Sequence, residues 1–154
     1  KNLIKSKYFL MLMPDDLIIK NNCSLSLIQL HNKYKSSVIA SKKVNRENVS
    51  RWGIFDFKKI NKRDFLIKDV VEKPSIKSAP SNYAVIGRYI LPRKIFNILK
   101  NQKPGNNGEI HITDAIRTLI KQKNKFIGHV FAGKYLDCGT MKGYINSSLY
   151  ISRL

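Results

Sequence analysis

The sequence has little cysteine, few acids and no long apolar run, and each shortage narrows what the chain can be. Its two cysteines, Cys23 and Cys138, stand far apart and form no CxxC or Cys/His ligand spacing. That excludes a zinc-finger pattern and a disulfide framework and leaves two reduced thiols. No stretch of about 18 apolar residues occurs, so no membrane-spanning helix is expected. Nor do the first residues show a basic region, an apolar stretch and a small-residue cleavage site in succession. A soluble, cytoplasmic protein with no membrane partner is the expectation. The chain begins at Lys1 rather than Met and meets an apolar run almost at once, in KNLIKSKYFLMLMPDD, which looks like an interior start. No internal repeat or low-complexity linker divides the 154 residues, so a single domain over 1–154 is expected.

Acids number 10 against 29 lysines and arginines, a formal charge of +19. Such a balance invites a nucleic-acid reading, because clustered cations neutralise phosphates and release counterions. The clustering is weak. Only short groups occur, at Lys42-Lys43, Lys58-Lys59 and 121–125, without the interleaved aromatics of an RNA-reading sheet. A Lys-, Asn- and Ile-rich bias accounts for the excess, and the positive field suits a small phosphate-bearing ligand better than a nucleic acid.

Residues 8–13 form a wholly apolar run ending in Pro14-Asp15-Asp16, the pattern of a central strand buried on both faces. Leu25, Leu27, Ile28, His31 and Tyr34 fall at helical spacing over 24–35, and 37–41 reads as a strand, so strand–helix–strand predicts a parallel α/β unit. Further strands are expected at 52–57, 65–71, 83–91, 126–131 and 134–136. Pro92 suits the first turn of a helix running to about residue 100, closed by a loop over 104–108. Thr113 is the expected N-cap of a helix that turns Ile116, Leu119 and Ile120 inward and carries Asp114 in its first turn, and helical character returns from Met141.

Three charged clusters fall at expected strand ends: Asp15-Asp16, Glu72-Lys73 and Asp137-Cys138-Gly139. Ligands bind outside the carboxyl ends of strands in open α/β sheets. Two separated aspartates and a lysine suit a magnesium–phosphate site, since Mg²⁺ is held through one or two carboxylates plus substrate phosphates and lysine adds a point charge. Each cluster also has a plainer reading: a capping acid pair, a solvated edge pair and a simple turn. His31, His111 and His129 share no ligand spacing and read as packing or surface residues.

The segment VEKPSIKSAPSNYAVIGRYILPRKIFNILKNQKPGNNGEIHITDAI, at 71–116, resembles the bacterial UTP–glucose-1-phosphate uridylyltransferases, or UDP-glucose pyrophosphorylases. FLMLMPDDLI at 9–18, SRWGIFDF at 50–57 and KYLDCGTMKGY at 134–144 continue the match in family order, so it covers nearly the whole chain. The resemblance implies an α/β, partial nucleotidyltransferase fold of Rossmann-like type, with a mixed central sheet flanked by helices. It implies Mg²⁺ held by Asp15 and Asp137, with Asp16 as a structural neighbour. Lys73 would hold sugar-phosphate oxygens as the catalytic candidate, and Glu72 would accept from sugar hydroxyls. Gly53 would let the backbone approach the sugar, Asn82 belongs to the expected pocket wall at 81–89, and Trp52 keeps an aromatic where the family has tyrosine. Glu109 and Asp114 read as architecture.

The family's glycine-rich GxGTR loop and its lysine-bearing KEMLP-like segment, which surround the nucleoside triphosphate, have no counterpart here. The expectation is therefore a C-terminal portion of an enzyme that joins UTP and glucose 1-phosphate into UDP-glucose and pyrophosphate, inactive alone. A separate N-terminal half chain or self-association would supply what it lacks. A non-catalytic relic and a basic nucleic-acid-binding protein are the alternatives.

Overall fold

Period-two alternation of apolar side chains builds the centre of the molecule. On β3 (Ser37–Lys43), Val38 and Ala40 point to one face with Cys23 and Leu27 of α1 (Cys23–Tyr34). Ile39 points to the other, with Ile95 of α2 (Ile95–Asn101) and Ile116 and Leu119 of α3 (Ile112–Lys121). Each fully buried Leu or Ile contributes about 1.5–3 kcal/mol through loss of apolar surface to water. The computed structural model describes residues 3–105 and 108–154, so Asn106 and Asn107 of the expected 104–108 loop lie outside the described residues.

The remaining strands are β1 (Tyr8–Leu12), β2 (Asp16–Ile19), β4 (Gly53–Lys59), β5 (Asp64–Glu72), β6 (Tyr83–Pro92), β7 (Phe126–Val130) and β8 (Lys134–Asp137), and the chain closes with helix α4 (Met141–Ile151). Five of them join β3 in one six-stranded sheet in the order β1-β6-β3-β7-β5-β4, while β2 and β8 pair separately. Only β3–β7 is parallel, so the sheet is mixed and flanked by helices on both faces, as the sequence resemblance implies. No helix among the described residues is long and apolar enough to cross a membrane.

Several expectations are corrected. The 8–13 run is not a central strand: β1 pairs only with β6, and Leu10, Leu12 and Met13 are exposed. Phe9 and Met11 pack on the core, Phe9 stacking on Phe96 at 5.2 Å, so one face of β1 satisfies the apolar pattern and the other does not. β1 and β3 run in the same direction, but β6 lies between them and no parallel pair forms. Pro92 is the last residue of β6, opposite Tyr8, and α2 starts after the turn at Arg93 and Lys94. Thr113 does not cap α3, because the helix begins one residue earlier. The short strand β2 and a 3₁₀ turn at Arg46–Arg51 carry no apolar periodicity that announces them.

The outer edge of β6 places the site. β1 covers residues 88–92 of that edge, and Ile54 of β4 bridges to Ala84 farther along it. Between the two, β6 bulges: Val85 and Tyr89 oppose Ser41 and Ile39, so Ile86, Gly87 and Arg88 face Ala40 alone. Bulges of this kind release backbone groups from the ladder and are frequent beside active sites.

Far from that edge, Asp64 is buried and accepts from Asn61 at 2.8 Å and Tyr34 at 3.3 Å, and lies 2.7 Å from the His129 Nδ1. This cluster ties α1, β5 and β7 together, and His129 belongs to it as a packing residue. Burial opposes the Asp64 charge, yet the hydrogen bonds from Asn61, His129 and Tyr34 outweigh it and hold the carboxyl below its usual range. A depressed folded-state value stabilises above the unfolded pKa of about 4 and is lost as pH falls through the folded value. Asp64→Ala, which strands the buried His129 and the half-buried Tyr34, should lower stability by about 3 kcal/mol at neutral pH in chemical denaturation, and the deficit should shrink as the pH falls below about 4.

Candidate active site

β1 ends at Leu12, and the chain turns through Pro14 and Asp15 into β2, whose register sets Asp16 opposite Asp137 of β8. The Asp15 carbonyl accepts from the Cys138 N–H at 2.8 Å, which locks the two acidic segments side by side. Asp16 is committed structurally: its Oδ2 accepts from the Gly87 N–H at 2.6 Å and its Oδ1 from the Tyr135 hydroxyl. Burial pushes the Asp16 carboxyl upward, the two hydrogen bonds pull it back, and the charges of Asp15 and Asp137 raise it further. The Tyr135 phenol is pushed above its ordinary range by burial and by its bond to Asp16.

The carboxylates of Asp15 and Asp137 converge at Gly139. A Cβ there would lie 2.8 Å from Asp15 Oδ2 and 3.4 Å from Asp137 Oδ1, so both acids crowd one side of a glycine. Asp137 Oδ2 is held by the Arg51 guanidinium, which in turn stacks 4.7 Å from the Trp52 ring. No cluster of three His, Cys, Asp or Glu side chains suited to a metal occurs among the described residues. Two adjacent carboxylates nonetheless match the donor set of Mg²⁺, which takes its other ligands from phosphate and water.

Glu72 ends β5 opposite Gly53 of β4. Its Oε2 accepts from the Thr113 hydroxyl at 2.6 Å, and its Oε1 lies 3.9 Å from His111 Nδ1. A half-buried carboxylate needs such donors. Gly53 leaves room for them, since a Cβ would stand 2.9 Å from Thr113 Cγ2 and 3.1 Å from Glu72 Oε2. Asp15, Asp16, Arg51, Trp52, Gly53 and Glu72 line one cleft of about 170 Å³, which Tyr89, His111 and Thr113 also wall. Burial first, then the charges of Asp16, Glu72 and Asp15, push the Tyr89 phenol above its ordinary range and keep it a proton donor.

Lys73 takes a left-handed backbone with φ 44°. Together with Glu72 it lines an adjoining cleft of about 350 Å³, walled also by His111, Asp114 and Arg117. Glu72 and His111 line the smaller cleft as well, so the two clefts meet there. Asn82 lines neither cleft, its amide donating to the Val44 carbonyl at 3.0 Å. His31 packs as expected, 2.7 Å from the Ser36 carbonyl, but His111 is a cleft residue. Arg51, Tyr135 and Thr113 escape a sequence reading because their partners are distant in the chain; Thr113 carries a signal, but for capping.

The family model described as nucleotidyl transferase matches residues 1–153. The UTP–glucose-1-phosphate uridylyltransferase of Pseudomonas aeruginosa is 35% identical over 151 residues, covering 95% of this chain and 53% of that protein. The enzyme of the same name from Bacillus subtilis is 36% identical over 150 residues, covering 97% of this chain and 51% of that one. A crystal structure of UDP-glucose pyrophosphorylase complexed with UDP-glucose superposes with a TM-score of 0.91 at 42% identity, over 99% of this chain and 59% of that chain. The chain spans about half the length of the curated relatives it matches.

Gly87 offers a direct test of how the acidic segment is held. A Cβ at that position would lie 2.4 Å from both Asp16 Oδ2 and Met13 Cβ. Gly87→Ala should therefore destabilise the protein by about 1–3 kcal/mol, read as a lowered denaturant midpoint with unchanged slope. A fully stable variant would show that Asp16 does not depend on the bulge.

Proposed function

Because the chain belongs to the nucleotidyl transferase family, we propose that it forms the metal and sugar-phosphate side of a UTP–glucose-1-phosphate uridylyltransferase site. The observation that carries this reading is the meeting of Asp15, Asp137 and Glu72 around the split edge of β6, in a chain resembling enzymes of that name over nearly its full length. In the reaction a phosphate oxygen of glucose 1-phosphate attacks the α-phosphorus of UTP in line, forming the new P–O bond as the bond to pyrophosphate breaks. No covalent bond to the protein forms.

Asp15 and Asp137 would hold Mg²⁺, which when bound would neutralise charge on phosphate oxygens. Glu72, aimed by the Thr113 hydroxyl, accepts from sugar hydroxyls, and Gly53 keeps the wall beside it flat. The Trp52 ring, backed by Arg51, closes one side of the sugar cleft. Lys73 is exposed and has a long flexible stem, so its ammonium reaches from the adjoining cleft to phosphate oxygens as a point charge. Asn82 supports the wall through Val44 rather than touching the sugar.

The sequence contains no glycine-rich loop to grip a triphosphate. Holding reactants in line accounts for about 7–11 kcal/mol of barrier lowering in favourable cases. The 154-residue polypeptide alone should therefore release no pyrophosphate from UTP and glucose 1-phosphate, while addition of the amino-terminal half of a relative should restore turnover. Turnover by the chain alone would show that a segment within it replaces the loop; none in either case would favour a non-catalytic relic. In the complemented enzyme, Lys73→Ala should reduce kcat/KM by roughly a hundredfold, about 3 kcal/mol of transition-state stabilisation. An unchanged value would remove Lys73 from the mechanism.

A further inference from the structure

A groove of about 620 Å³, more capacious than the acidic cleft, lies between β8 and α4, on the other side of the Arg51–Asp137 pair. Lys134 and Lys142 line it together with Asn146 and Tyr150. The ammonium groups of Lys134 and Lys20 lie 5.1 and 5.5 Å from the centre of the same Tyr150 ring. Lys42 stands 5.4 Å from the neighbouring Tyr135 ring, and its ammonium is pushed below the usual lysine range by burial and then by the charge of Lys134. Among the described residues, none of these four lysines has a carboxylate partner. The only acid lining the groove, Asp137, is already taken by Arg51. Like charges gathered this closely repel one another unless an anion sits among them.

Helix α4 gives a second, independent indication. A surface helix ordinarily turns its apolar stripe to the protein. Here Gly143, Asn146, Ser147 and Tyr150 face the groove, while Met141, Tyr144, Ile145 and Leu149 are exposed. The polar side of the helix is the inner one, and it lines the groove with amide and hydroxyl groups. Lys134 on β8 and Lys142 on α4 bring unneutralised ammonium groups to both walls, beside the amide and hydroxyl donors of the helix.

We propose that the β8–α4 groove binds a compact polyphosphate, either inorganic pyrophosphate or the phosphate tail of a nucleotide. Three or more negative charges in a small volume match the separated ammonium groups, whereas a single phosphate would neutralise only part of them. The groove borders the proposed sugar-nucleotide site through Arg51 and Asp137, while Asp15, Glu72 and Lys73 lie outside it, and its ammonium groups are not ones that reading uses.

The test is calorimetry on the whole chain with inorganic pyrophosphate, without divalent cation and at physiological salt. The proposal expects saturable binding that Lys134→Glu with Lys142→Glu weakens at least tenfold. Lys58→Glu with Lys59→Glu, the same charge change on exposed residues outside the groove, should have little effect. Far-ultraviolet circular dichroism checks that both pairs fold, and Lys20→Glu alone should weaken binding without touching the groove's other wall. Titration with UTP separates the sources: binding as tight as that of pyrophosphate assigns the groove to a nucleotide's phosphates, weaker binding to free pyrophosphate. No binding of either, or equal loss in the control pair, would overturn the proposal. So would tighter, steeply salt-dependent binding of a single-stranded oligonucleotide that both pairs reduce alike, which would mark a diffuse basic surface.

Discussion

The N–H of Gly87 has no strand partner on the outer edge of β6, and the Asp16 carboxylate fills that vacancy at 2.6 Å. The bulge opposite Ala40 frees the peptide, and the absent Cβ admits the carboxylate. The other Asp16 oxygen takes the Tyr135 hydroxyl, so one half-buried side chain joins β6, β2 and β8. Through that junction the turn after β1 is fixed, Asp15 is brought beside Asp137, and Arg51 is drawn across the mouth of the cleft. Burying the carboxylate costs solvation, and the two donors offset that cost. An isosteric amide at position 16 could accept at only one oxygen and would leave a donor facing Gly87 or Tyr135.

The opposite wall follows a related rule. Strand pairing brings Gly53 and Glu72 face to face, and only a glycine lets Thr113 reach the Glu72 carboxylate between them. β5 then ends because Lys73 adopts φ 44° and Pro74 follows. The reversal leaves both adjacent charges on the larger cleft, with Glu72 reaching the smaller one as well.

How far the sequence discloses this depends on the range of the interaction concerned. Local signals are faithful: α1 has Asn22 at its cap with Leu25 donating to it at 3.0 Å, and the alternations of β3, β5 and β6 fall within a residue or two of expectation. The apolar run of β1 is misleading because five such residues look alike whether a strand lies on one side or both. Pro92 suits the end of a strand as well as the start of a helix, since it lacks the N–H in either place. Thr113 has the chemistry of a cap, and a carboxylate 41 residues away claims its hydroxyl instead. The acids at strand ends were legible as positions. Their convergence was carried by the family resemblance, because β2, β8 and the bulge in β6 leave no periodic trace.

Charge shows the same division between composition and place. The chain is strongly basic, yet four of its 10 acids, Asp15, Asp16, Glu72 and Asp137, gather around the split edge of β6. The general field attracts anions over distances near a Debye length of about 8 Å, while the carboxylates act at contact. A nucleic-acid backbone laid across this edge would set its phosphates against those acids, a like-charge contact that opposes binding. On the proposed reading, a small phosphorylated sugar would instead meet acids at its hydroxyls and lysine at its phosphate. The arrangement of few acids, rather than the surplus of bases, therefore favours the second of the two kinds of phosphate-bearing partner that the composition alone would admit.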